Sequence, residues 1–151
     1  MTPPRIRGTS VSISTPAPRA LAEFYARLLD LEITVAEGAR EGEPVDAGWA
    51  QIRPVEGRLD MTLNFEWDEH YVPPAWPTPA PSHLGWPSVS GEVSAGPAPQ
   101  QVMAHLDLWA EDLSASVAWA IECGATEHPH QPQENVRVMV DPHGHPFCLF
   151  T

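Results

Sequence analysis

Lysine is absent from this chain of 151 residues, and its eight basic side chains, all arginine, face 20 acidic ones. A net charge of −12 leaves no cluster of cations for a phosphate backbone, which argues against a nucleic-acid partner. Cysteine is nearly as scarce. Cys123 and Cys148 are the only two and form no Cys-x-x-Cys pair, so neither a disulfide framework nor a thiolate zinc finger is expected. No apolar run reaches the roughly 18 residues that would span a bilayer, which argues against a membrane protein. The first ten residues carry Arg5 and Arg7 but lead into alternating residues instead of the apolar stretch of a secretory signal, and a cytoplasmic location is expected. The acidic balance makes a neutral or cationic small molecule the easiest partner to accommodate.

Proline and tryptophan are plentiful, at 18 and six residues, and they concentrate between recognisable elements. Residues 8–14 read GTSVSIS, the period of a half-buried strand. The following TPAPRALAEFYARLLDL places Leu21, Phe24, Tyr25, Leu28 and Leu29 on one helical stripe, with Thr15 as a cap and Pro16 in the first turn. Three strand patterns follow: LEITVA, GWAQIRP and RLDMTLNFEW, the last alternating through Leu59, Met61, Leu63 and Phe65. Residues 68–100 then lose all period in a Pro/Trp-rich connector, whose Trp76 and Trp86 can pack on the body or over a cavity.

From residue 101 the order returns. QVMAHLDLW reads as a strand, EDLSASVAWAIECGA as a helix stopped by Gly124 with Trp119 on its core stripe, and TEHPH, NVRVMVD and HPFCLFT as three strands. The turn DPHGH joins the last two. Ser10 precedes Phe24 by 14 residues and His105 precedes Trp119 by 14, so an offset of 95 superimposes the two strand–helix units. The chain is therefore expected to be a single domain over residues 1–151, with module one at about 6–67, the connector at 68–100 and module two at 101–151. Repeated βα units are also compatible with a ferredoxin-like fold; the count of eight strands and the closing turn favour paired βαβββ modules.

Those paired modules, with AEFYARLLDLE in the first helix, HLDLWAEDL opening the second half and the closing DPHGHPFCLF, resemble the vicinal oxygen chelate superfamily and its glyoxalase-like branch. The resemblance implies an α+β fold: two βαβββ modules related by pseudo-twofold symmetry, whose curled mixed sheets line a cleft. Homodimers are common in such families, and a homodimer is expected here. The metal ligands of the family's enzymes map by spacing onto Ser10, Glu66, His105 and Cys148. Only two of these are good donors for a hard or borderline ion: serine is a weak neutral ligand, and a cysteine must ionise and prefers softer metals. The reading that follows is a glyoxalase/bleomycin-resistance-like protein binding a small planar or cationic organic molecule without a catalytic metal. Its ligand-binding candidates are Ser10, Glu66, Trp67, Trp76, Trp86, His105, Trp109 and Cys148, since indole faces suit planar and cationic groups. The alternative is a lyase or isomerase that uses a divalent metal, or His105 and Glu66 as acid and base. His128, His130, His143 and His145 have spacings that would suit a second transition-metal site if their loops met.

Overall fold

Alternation of Val11 and Ile13 with Ser10, Ser12 and Ser14 becomes β1 (Ser10–Thr15) in the computed structural model, which describes Arg5, residues 7–76 and residues 102–151. The chain divides into two compact units, Met1–Tyr71 and Val72–Thr151. Each carries one helix and one four-stranded mixed sheet, and no barrel closes among the described residues. Nor is any described helix long and apolar enough to cross a membrane.

In the first unit, α1 (Pro18–Leu29) is followed by β2 (Val35–Glu37), β3 (Trp49–Ile52) and β4 (Thr62–Trp67), in the sheet order β1-β4-β3-β2. The expected stripe forms: Leu21, Phe24 and Tyr25 are buried, and Tyr25 stacks on Phe65 with ring centroids 5.6 Å apart. Because successive strand residues point to opposite faces, Ala50, Ile52, Leu63 and Phe65 turn together into this core. Thr15 is not the helix cap. It closes β1 as a buried residue, while Ala17 precedes Pro18 at the helix start. Met61 also departs from the expected pattern. A tight turn at Gly57 bridges Val55 to Leu59 and delays the strand to Thr62, which leaves Met61 exposed. Gly48 is required by geometry: its φ is 123°, and a Cβ there would collide with the carbonyl of Glu37. Gly48→Ala is therefore expected to destabilise the fold by more than about 1 kcal/mol, read as a lower urea midpoint at unchanged slope.

The second unit repeats the pattern with β5 (Leu106–Trp109), α2 (Leu113–Cys123), β6 (Thr126–Glu127), β7 (Val136–Val140) and β8 (Pro146–Phe150), in the order β5-β8-β7-β6. Asp112 caps α2, accepting from the Ala115 N–H at 3.0 Å and the Ser114 hydroxyl at 2.8 Å. The Ala115 bond is the larger cause holding its carboxyl below the ordinary value. Gly124 ends the helix in the left-handed conformation, as the sequence implies. Trp119, however, is not core. Ser and Ala fill much of α2, Ala120 is its one buried residue, and Trp119 and Ile121 are exposed. TEHPH contributes only a two-residue strand before the chain turns back on itself through His128 and His130.

Candidate functional site

The parallel pairing of β5 with β8 sets Asp107 opposite Cys148 and Trp109 opposite Phe150. One face of the sheet carries Leu106, Leu108, Met139, Phe147 and Leu149. The other carries Asp107, Trp109, Val138, Cys148 and, two residues before Asp107, His105. On this second face Asp107 and Trp109, from the edge strand β5, are exposed, whereas Val138 and Cys148 on the inner strands are buried.

On it, His105 Nε2 lies 3.2 Å from Asp107 Oδ1, and one ligand atom from each of His105, Asp107 and Cys148 lies within 4.8 Å of the others. No other such group of three His, Cys, Asp or Glu residues occurs among the described residues. Cys148 is buried, and its thiol is pushed up first by that burial and then by the negative charge of Asp107. Trp76 meets His105 edge-on, with ring centroids 5.0 Å apart. The segment bearing Trp76 is held in two ways: Val102 N–H donates to the Ala75 carbonyl at 3.0 Å, and Gly144 lets Pro73 approach so closely that a Cβ would lie 2.7 Å from it.

The DPHGH turn builds a separate polar knot. Asp141, buried, accepts from the backbone N–H groups of His143 and His145 and from His145 Nδ1 at 2.9 Å. The His143 imidazole lies below its ordinary value of 6.5, chiefly because burial penalises the charged form; Asp141 opposes the shift and His145 adds to it. The unfolded chain therefore takes up this proton first. The contribution of His143 to stability is full above pH 6.5 and is lost as pH falls below it. Comparing melting midpoints above and below pH 6.5, the acid-side drop is expected to shrink in His143→Asn. His128, His130, His143 and His145 do not gather into a second donor group among the described residues.

The first unit places the remaining sequence candidates differently. Ser10 lies beside Thr62 and Glu66 beside Ser14, four residues along the strand or about 13 Å at the usual rise. The 95-residue offset makes Ser10 and Ser12 the counterparts of His105 and Asp107, and the residue opposite Ser12 is Asn64. Asn64, not Glu66, is thus the register equivalent of Cys148, and its Oδ1 accepts from Gln51 Nε2 at 2.9 Å. Trp67 points to the face opposite that of Glu66, in line with Phe65. Trp86 falls outside the described residues.

A family model described as glyoxalase-like domain matches residues 10–150. The chain belongs to the glyoxalase-like domain family. No curated protein matches the sequence. Among solved structures, this glyoxalase-like chain is similar to a glyoxalase family protein from Enterococcus faecalis, at 16% identity and a TM-score of 0.58 over 96% of this chain and 97% of that one. The fosfomycin resistance protein FosX from Mesorhizobium loti matches at 11% identity and a TM-score of 0.56, over 96% and 90%. A glyoxalase/bleomycin resistance protein/dioxygenase family enzyme from Burkholderia phytofirmans PsJN matches at 13% and 0.51, over 93% and 94%. At these identities the likeness is one of fold; it is the glyoxalase-like family model that agrees with the resemblance to the vicinal oxygen chelate superfamily, which includes metalloenzymes.

The cluster can be tested against such a metal on its donors alone. An imidazole nitrogen, a carboxylate oxygen and a sulfur fit a borderline divalent ion of the zinc class. The sequence set had two good donors. Asp107, which the sequence reading did not single out, joins His105 and Cys148 in the cluster, and Glu66 is not part of it.

Proposed function

We propose that this glyoxalase-like chain binds a small organic molecule at His105, Asp107 and Cys148, with a divalent ion as part of the site. The observation that carries the reading is the convergence of three different donor atoms within 4.8 Å on one face of one sheet. Three protein donors leave coordination to be completed by an oxygen of the organic ligand, the arrangement typical of catalytic rather than structural ions. When bound, the ion supplies Lewis acidity that polarises such an oxygen. The chain's own groups do the rest. Trp76 limits the His105 ring to one edge-on position, and Trp109, on the same face as the three donors, offers an indole for stacking.

A second reading is favoured by the exposed Asp107 carboxylate beside His105 and the Trp76 ring: a metal-free site for a planar cation, held by charge and by the indole. Chelation separates the two. Binding of vicinal-oxygen ligands (a catechol, a 2-hydroxy ketone, a phosphonate) and of planar cations is measured by calorimetry before and after dialysis against a chelator. Under the ion reading, an oxygen ligand binds and loses at least about tenfold in affinity when the ion is removed, regaining it with zinc. Binding of a planar cation that chelation leaves unchanged would overturn that reading and support the second.

A further inference from the structure

We propose that the closing turn 141–145 positions Trp76 through a proline strap, and that Gly144 and Pro73 are the positioning residues that hold this indole as a fixed wall against the His105 side of the ligand site. The inference deepens the reading above and rests on its placing a small molecule at His105; it holds with or without an ion.

Topology brings the parts together within the second unit. β5 and β8 run parallel with Leu106 opposite Phe147, so His105 and the turn that ends at His145 sit at the same end of neighbouring strands. Strands in a sheet are about 4.8 Å apart, and residues 73–76, at roughly 3.3 Å each, are long enough to cross that gap. The contacts follow in order along them: Pro73 on Gly144, the Ala75 carbonyl on the Val102 N–H, and the Trp76 ring on His105.

Stiffness decides whether a displacement at one end reaches the other. Pro73 and Pro74 each fix their own φ and restrict the residue before them, so Val72 to Pro74 is semi-rigid chain. The seat is equally fixed. Gly144 N–H donates to the Asp141 carbonyl at 3.0 Å and Asp141 N–H to the His145 carbonyl at 3.0 Å, while the buried Asp141 carboxylate accepts from the N–H groups of His143 and His145. Gly144 has a φ of 93°, and an added Cβ would lie 2.7 Å from the Pro73 Cβ, so a side chain at this position displaces the strap. The Ala75–Val102 hydrogen bond alone is too weak to offset the entropy of ordering these residues, which makes the Pro73 contact the necessary second clamp.

Proton NMR of the His105 imidazole reads the position of Trp76 without any ligand, because an indole beside it displaces its ring-proton resonances through the ring current. His105→Gln identifies those resonances among the seven histidines, and Trp76→Leu gives the displacement that the indole causes. In the full-length protein, Pro73→Gly and Gly144→Ala should each move the His105 resonances at least half of the way to their Trp76→Leu positions. Pro73 is exposed, so Pro73→Gly is expected to fold, which its circular dichroism and melting curve verify; it decides alone if Gly144→Ala does not fold. A role confined to stability would lower the melting midpoint and leave the His105 resonances of folded Pro73→Gly at their wild-type positions, and that result, or unmoved resonances in Trp76→Leu, would overturn the proposal. A ligand whose binding needs His105 should bind about threefold or more weakly in both Pro73→Gly and Trp76→Leu, and unchanged affinity in either would overturn it as well. Displaced resonances in a protein that binds no organic ligand would leave the strap standing and remove the small-molecule reading.

Discussion

His105→Ala is expected to lower the affinity for zinc by on the order of 100-fold or more, and with it the affinity for any oxygen ligand that needs the ion. Loss of a mere hydrogen-bonding neighbour of a metal ligand costs roughly 10–100-fold, so removal of a donor itself should reach or exceed the top of that range. The side chain is partly exposed, at 30%, so its removal opens no large core cavity and the melting midpoint should change little. Zinc affinity is measured by competition with a chromophoric chelator. A variant that folds and binds zinc as tightly as the wild type would remove His105 from the site. His105→Gln separates two contributions: it keeps a polar group of similar reach but no imidazole, so zinc binding should still fall while contact with Trp76 is largely retained.

The largest expected stability effect lies away from the site, at Phe65. Its ring is fully buried on the helix-facing side of β4 and stacks on Tyr25 at an interplanar angle of 23°. Phe65→Ala should cost about 3–5 kcal/mol, from lost burial and from the cavity that remains. Urea unfolding followed by circular dichroism gives the number directly. A loss below about 1 kcal/mol, typical of a surface substitution, would mean that Phe65 does not anchor the sheet to α1. Asn64, its neighbour on the opposite face, provides the contrast: Asn64→Ala removes one half-buried hydrogen bond to Gln51 and should cost far less.

Much of this architecture is legible in the chain because local patterns and long-range repetition agree. The alternation around Val11 and Ile13, the stripe Leu21–Phe24–Tyr25, the left-handed stop at Gly124 and the offset of 95 residues each point to the same repeated unit. Strand register is far less legible. Spacing alone pairs Ser10 with Glu66, but the bridge from Val55 to Leu59 consumes residues that a simple alternation would assign to the strand, and Asn64 takes the equivalent place. Consecutive residues of a strand point to opposite faces, which is why Trp67 and Glu66 part company. Asp107 is hidden by its context. In HLDLW a carboxylate between leucines reads as the solvent side of a strand, and only its pairing with Cys148, 41 positions later, shows what it stands beside. The i, i+2 spacing of His105 and Asp107 was the available signal, and a two-residue match of that kind is too common to stand out without the second strand. Trp119 is the converse case: a large aromatic at helical spacing reads as core, yet a helix of small residues can sit on its sheet through Ala120 and leave the indole outside.

The measurement that bears most directly on an ion at His105, Asp107 and Cys148 is native mass spectrometry of the untagged chain after zinc loading and desalting, run beside His105→Ala. One zinc per chain in the wild type and none in the variant is the predicted result. A zinc-free wild type, or zinc retained equally by the variant, would contradict it.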